Sequence, residues 1–90
     1  MLTMQQFRTD TKKLFEELLN FIKEEVYSCN NDTFNILCSM LCEQCNECLK
    51  KNIIPTLSHI THMEDMIKHH DINAIRNEVM GFKNLLRNKY

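Results

Sequence analysis

The sequence predicts an all-α fold, a small up-and-down bundle of four helices. The chain has 90 residues with one glycine and one proline, so it holds few of the residues that usually build turns. Apolar residues recur at steps of three and four along four successive stretches, which is the spacing of amphipathic helices. The length suits one domain, so we expect residues 1–90 to form a single helical domain.

The first helix is predicted to begin at a capping box formed by Thr3 and Gln6. It extends for about 25 residues, because an apolar stripe continues over that length. The stripe includes Leu14, Leu18 and Phe21, while lysines and glutamates occupy the opposite face. This division between an apolar and a charged face indicates a helix that packs on the rest of the protein on one side.

The second helix is predicted to follow an Asn-rich turn, with Asp32 or Asn31 as its N-cap. Lys50 suits its C-terminal end, where the helix dipole is negative. Proline restricts the residue before it and is accepted in a first helical turn. We therefore expect a third helix to begin at about Pro55. The alternative is a three-helix protein in which residues 33–70 form one long helix kinked at Pro55.

The last two helices are predicted from shorter stripes. These comprise Leu57, Ile60, Met63 and Ile67, followed by Ile72, Ile75, Val79, Phe82 and Leu86. Asp71 lies between the two stripes and is a candidate N-cap for the fourth helix.

Four of the five cysteines lie close together on the second predicted helix. They are Cys38, Cys42, Cys45 and Cys48. At about 100° per residue they share an arc of roughly 120° on the apolar side of the helix. Because free cysteine behaves as a small hydrophobic residue, core packing is one interpretation of this thiol stripe.

Metal binding is the other interpretation of the thiol stripe. Cys45 and Cys48 are two residues apart, as are His59 and His62, and such pairs are typical of structural zinc sites. If the second and third helices formed a hairpin, Cys48 would be level with His59. The histidines lie about 120° from the apolar stripe of their own helix, however, which argues against convergence on one ion. No cofactor is the first expectation, and zinc on these four residues is the alternative.

Copper(I) is a second metal candidate, because thiolates and thioethers select it and the thioethers of Met40, Met63 and Met66 accompany the thiol stripe. Over Cys38–Cys48 the sequence resembles the thiol-lined helices of copper-storage bundles. Those bundles distribute cysteines over several helices, whereas one helix carries almost all of them in this sequence.

Enzymatic activity is not expected. The sequence has no glycine-rich phosphate loop, and no known catalytic signature surrounds any cysteine. Small helical bundles without chemistry of their own commonly act by presenting a helix face or groove. We therefore expect a non-enzymatic protein-protein interaction or regulatory module. Its partner would be another protein or, in a homodimer, a second copy, bound through an amphipathic helix face.

Net charge, hydropathy and the number of cysteines indicate which partners and which cellular environment to expect. The formal net charge of −1 does not suggest nucleic-acid binding. No apolar run approaches the roughly 18 residues that span a membrane, and the N-terminal residues lack the pattern of a signal peptide. An odd number of cysteines, most of them on one helix, argues against disulfides. We expect a cytoplasmic protein in a reducing, intracellular environment.

Overall fold

The computed structural model describes the backbone of residues 4–88 and the side chains of residues 11–88. It contains helices α1 (Met4–Ser28), α2 (Asp32–Lys50), α3 (Leu57–Lys68) and α4 (Ile72–Asn88). The predicted all-α bundle of four helices is confirmed. The predicted capping box at the start of α1 includes Thr3, which lies outside the described residues.

Side-chain caps mark the starts of three helices. The Asn31 side chain accepts a hydrogen bond from the Phe34 amide at the start of α2, which decides between the two predicted caps. The Asp71 carboxylate accepts from an amide in the first turn of α4, as predicted. Helix α3 is capped by Thr56 and begins at Leu57, two residues beyond the predicted start, because the side chain of an extended Thr56 accepts from the His59 amide in the first turn.

The end of α2 excludes the long kinked helix. The Ile53 amide donates to the Cys48 carbonyl at 2.8 Å, and the Asn52 amide donates to the Leu49 carbonyl at 3.1 Å. This pattern is a Schellman motif, which requires a left-handed residue, and Asn52 has a φ of 58°. The chain thus turns three residues before Pro55, and α2 and α3 are separate helices.

The helices pack in a ring in which α1 and α4 each contact both α2 and α3. Helices α2 and α3 make no close backbone contact with each other, so these consecutive helices lie at diagonal corners of the bundle. Inside the ring is one cluster of buried side chains drawn from all four helices. Its largest fully buried members include Phe15, Phe34, Leu41, Met63 and Ile75.

Candidate functional site

The thiol stripe of α2 faces the core of the bundle. Cys38, Cys45 and Cys48 are completely buried, and Cys42 is 8% exposed. All five cysteines are free thiols. The expectation that the stripe packs in the core is confirmed by these positions, since the thiols belong to the same cluster as the large apolar side chains.

Burial makes these thiols difficult to ionise. It raises the pKa of the Cys38 thiol from 9.0 to about 12, with smaller contributions from Cys42, Cys29 and Glu25. Burial also raises the pKa of Cys45. An ionised thiolate would lose its hydration in this interior, so at neutral pH these side chains behave as small apolar groups.

At Cys42 and Cys48, the charge of a lysine opposes the effect of burial on the pKa of the thiol. Burial raises the pKa of Cys42, and the charge of Lys23 acts in the opposite direction. Burial likewise raises the pKa of Cys48, and Lys51 opposes it. Both thiols still remain protonated near neutral pH, because in each case burial is the largest effect.

The predicted zinc ligands on α3 are His59, which contacts α4, and His62, which is exposed to solvent. The His59 Nε2 atom contacts the Oε1 atom of Glu78 on α4. The His59 ring also meets Phe82 edge-on, with 6.1 Å between the ring centroids. His62 is exposed, and its ring centroid lies 6.4 Å from that of His59. His59 thus joins α3 to α4 through a carboxylate and an aromatic ring.

The four proposed zinc ligands lie on α2 and α3, which occupy diagonal corners of the bundle. The zinc alternative requires a hairpin that brings Cys45 and Cys48 level with His62 and His59, but the two helices are not neighbours in the ring. Among the side chains of residues 11–88, no group of three or more His, Cys, Asp or Glu is arranged to hold a metal ion. Zinc binding by the four residues stays a prediction for measurements of metal content to test.

Copper(I) binding also stays a prediction. Met63 and Met66 are buried in the same core cluster as the thiols, which agrees with the soft ligand set that the sequence suggested. Met40 is 43% exposed, on the outer side of α2. One of the thioethers named with the stripe therefore turns away from it.

A concave and largely apolar surface lies between α1 and α3, and we call it the α1–α3 groove. Its apolar lining consists of Leu14, Leu18, Phe21, Leu57 and Ile60. Leu14 is 38% exposed and Leu57 is 41% exposed. The groove continues into a cleft of about 600 Å³ lined by Ile54, Pro55 and again Leu57. An apolar side chain of a partner would therefore meet two half-exposed leucines above a buried floor.

The rim of the α1–α3 groove is charged. Glu17 and Glu64 line it with Lys68, and Lys68 Nζ lies 3.0 Å from Glu64 Oε1. The net charge of these three side chains is negative. A ligand with a basic flank would therefore be favoured at this rim.

Within residues 11–88, the other exposed large hydrophobic residues do not line this groove. They are Tyr27, Ile36, Met40 and Met80. Exposed apolar residues that are scattered singly over a surface are ordinary. Tyr27 borders a shallow depression between α1 and α2 together with Val26 and Cys42.

Sequence reasoning assigned Leu14 and Leu57 to the buried stripes and missed their exposure. The buried side of α1 is centred on Phe15, Leu19 and Ile22, and Leu14 lies on its flank. The width of the α1 stripe was the available signal, because apolar residues on two adjoining faces exceed what one packing contact covers.

None of the helices within residues 4–88 combines the length and the apolar character that are needed to cross a membrane. Comparisons with protein-family models, with curated proteins and with solved structures find no match to this chain.

Proposed function

We propose that this protein is a non-enzymatic interaction module whose α1–α3 groove binds an amphipathic helix of a partner protein. The observation that carries the proposal is the pair Leu14 and Leu57. The two leucines belong to different helices, are both about two-fifths exposed, and line the same groove. The groove is also lined by Leu18 and Ile60, which are both buried, so it offers depth as well as apolar area.

The chemistry of the groove specifies the partner. An amphipathic helix presents apolar anchors at helical spacing, and such anchors fit a groove between two helices. Full burial of a leucine side chain contributes about 1.5–3 kcal/mol. Covering the exposed part of Leu14 or Leu57 therefore contributes roughly 1 kcal/mol each. Glu17 on the rim favours lysine or arginine on the flank of the bound helix.

The proposal includes an intracellular, reducing environment and no catalytic step. Five free thiols agree with a compartment in which cysteines remain reduced. The groove carries leucines, isoleucine and phenylalanine at its centre, and these side chains supply binding surface rather than acid-base or nucleophilic groups. A second copy of this chain is the competing occupant that the experiment must distinguish.

A synthetic amphipathic helix tests the groove directly. The peptide has leucines at helical spacing on one face and lysines on both flanks, and a scrambled peptide of the same composition is its control. Fluorescence anisotropy measures binding to the wild type, Leu14→Glu, Leu57→Glu and Ile36→Glu. Ile36 is the matched control because it is 61% exposed and lies on α2.

We expect Leu14→Glu and Leu57→Glu each to weaken binding about tenfold, which corresponds to about 1.4 kcal/mol. Ile36→Glu should bind as the wild type does. Equal binding by all variants, or equal binding of the scrambled peptide, would contradict the proposal. A dimer in light scattering that both groove variants dissociate would replace the partner helix by a second copy.

A further inference from the structure

The fifth cysteine lies outside the thiol stripe, at one end of the bundle. Cys29 is in the connection between α1 and α2, and its Sγ atom is 3.9 Å from Nδ1 of His70. The other ring nitrogen of His70, Nε2, is 3.5 Å from Oε2 of Glu25 in the last turn of α1. A thiol, an imidazole and a carboxylate from three separate segments are thus aligned in that order.

The His70 ring is held in place independently of Cys29. The His70 amide donates to the Ile67 carbonyl at 3.1 Å, and the next amide donates to the Met66 carbonyl at 3.0 Å. This Schellman motif puts His70 at a φ of 50°, a conformation that glycine adopts more readily. The ring then stacks on the buried ring of Phe34, with 4.2 Å between centroids.

The surroundings of Cys29 differ from those of the other four cysteines. Cys29 is partly exposed, whereas the thiol stripe is buried. The Asn31 amide donates to Cys29 Sγ at 3.4 Å. The Asn35 side chain donates to the Cys29 carbonyl at 2.9 Å and fixes the backbone. Cys29 therefore combines access, a proton acceptor and a donor to the sulfur.

We propose that Cys29 is a site of reversible thiol-disulfide exchange with small-molecule disulfides, and that His70 accepts the thiol proton. The S–H proton of Cys29 moves to Nδ1 of His70 as Sγ attacks one sulfur of the disulfide. A bond forms between Sγ and that sulfur, and the original S–S bond breaks. The departing sulfur leaves with the electron pair and is protonated, so Cys29 is oxidised and the departing sulfur is reduced.

The charge near Cys29 indicates which disulfides react best. Glu25 lies on the far side of the His70 ring. Of the charged residues that adjoin the two connections in sequence, Asp32 and Asp71 are acidic and Lys68 is basic, so acidic groups are in excess. A disulfide with positively charged substituents is therefore favoured over an anionic one. Cystamine, which carries two ammonium groups, is the appropriate probe. This site does not depend on the α1–α3 groove, and the two proposals can fail separately.

The test measures the rate of adduct formation with cystamine by intact-protein mass spectrometry, followed by peptide mapping. We expect a single cysteamine adduct on Cys29 in the folded protein and no adduct in Cys29→Ser. His70→Gly should slow the reaction about tenfold or more, because the proton acceptor is lost. Glycine suits the left-handed position, so this variant keeps the helix end, and circular dichroism checks its fold.

Three further variants complete the design. His70→Asn repeats the test with another residue that accepts a left-handed backbone, and His69→Asn is the control for removing an exposed histidine. Glu25→Gln should slow the reaction in the wild type and leave the rate of His70→Gly unchanged, since Glu25 acts through the imidazole. An adduct on Cys42, no adduct on folded protein, or wild-type rates in both His70 variants would overturn the proposal.

Discussion

Alkaline pH should destabilise this protein through Cys38. The thiol is completely buried, and its pKa is raised from 9.0 to about 12, mainly by that burial. The unfolded chain releases the proton as the pH rises above the ordinary value, while the folded protein retains it. The contribution of Cys38 to the free energy of unfolding is therefore fully present below pH 9 and is lost as the pH rises towards 12.

The size of the effect follows from the two pKa values. Between them, each pH unit removes about 1.4 kcal/mol from the free energy of unfolding, and the whole interval corresponds to about 4 kcal/mol. This loss is a large fraction of the stability of a small domain, which is typically about 5–15 kcal/mol. The buried thiols of Cys42, Cys45 and Cys48 act in the same direction, because their pKa values are raised as well.

Urea unfolding in the presence of a reductant, followed by circular dichroism, measures this loss across the interval. Cys38→Ala should lower the stability by a constant amount below pH 9, and between pH 9 and 12 it should reduce the alkaline slope by about 1.4 kcal/mol per pH unit. Ser39→Ala, at the adjoining exposed position, should keep the wild-type slope. All three proteins share every other ionisable group, so the difference in slope isolates Cys38. Equal slopes for the wild type and Cys38→Ala would refute the reasoning.

Two further predictions concern α3 and α4. Gly81→Ala should raise the free energy of unfolding by about 0.5–1 kcal/mol, because Gly81 is inside α4 and a Cβ there meets nothing within 4 Å; a lower thermal midpoint would contradict this. His59→Ala should lower the stability by about 1–3 kcal/mol, because the Glu78 carboxylate, only 14% exposed, loses its imidazole partner, and a chelator should have no effect. If His59 and Cys48 ligate zinc instead, a chelator should destabilise the wild type and Cys48→Ser should match His59→Ala in chemical unfolding.

The helices were predictable because each rests on local rules. Amphipathic spacing identified α1 to α4, and the carboxylate of Asp71 marks the start of α4 as its position suggested. Two boundaries needed the structure. The sequence suggested a helix start at Pro55, but Thr56 supplies the side-chain oxygen that caps α3. Asn52 ends α2 in a left-handed conformation, and sequence spacing across residues 49–60 cannot distinguish that turn from a kink.

The candidate sites depend on tertiary arrangement, which periodicity does not contain. The comparison of Cys48 with His59 assumed that consecutive helices are neighbours, whereas α2 and α3 are diagonal. The exposure of Leu14 and Leu57 depends on how closely α1 approaches α3. The contact between Cys29 and His70 spans 41 residues, and neither residue belongs to a motif.

The five cysteines illustrate why number and spacing alone do not indicate thiol chemistry. Along α2 the spacing that gathers four thiols on one face also turns that face into the core, and the loss of hydration there keeps them protonated. Cys29 lies just before the start of α2, where the first backbone amides have no partner within the helix, and the amide of the N-cap residue Asn31 donates to its sulfur. The connection after α3 lies beside Cys29, and its residue with left-handed backbone is His70. Thiol reactivity in this bundle is therefore expected where helices end, and the thiol stripe contributes packing.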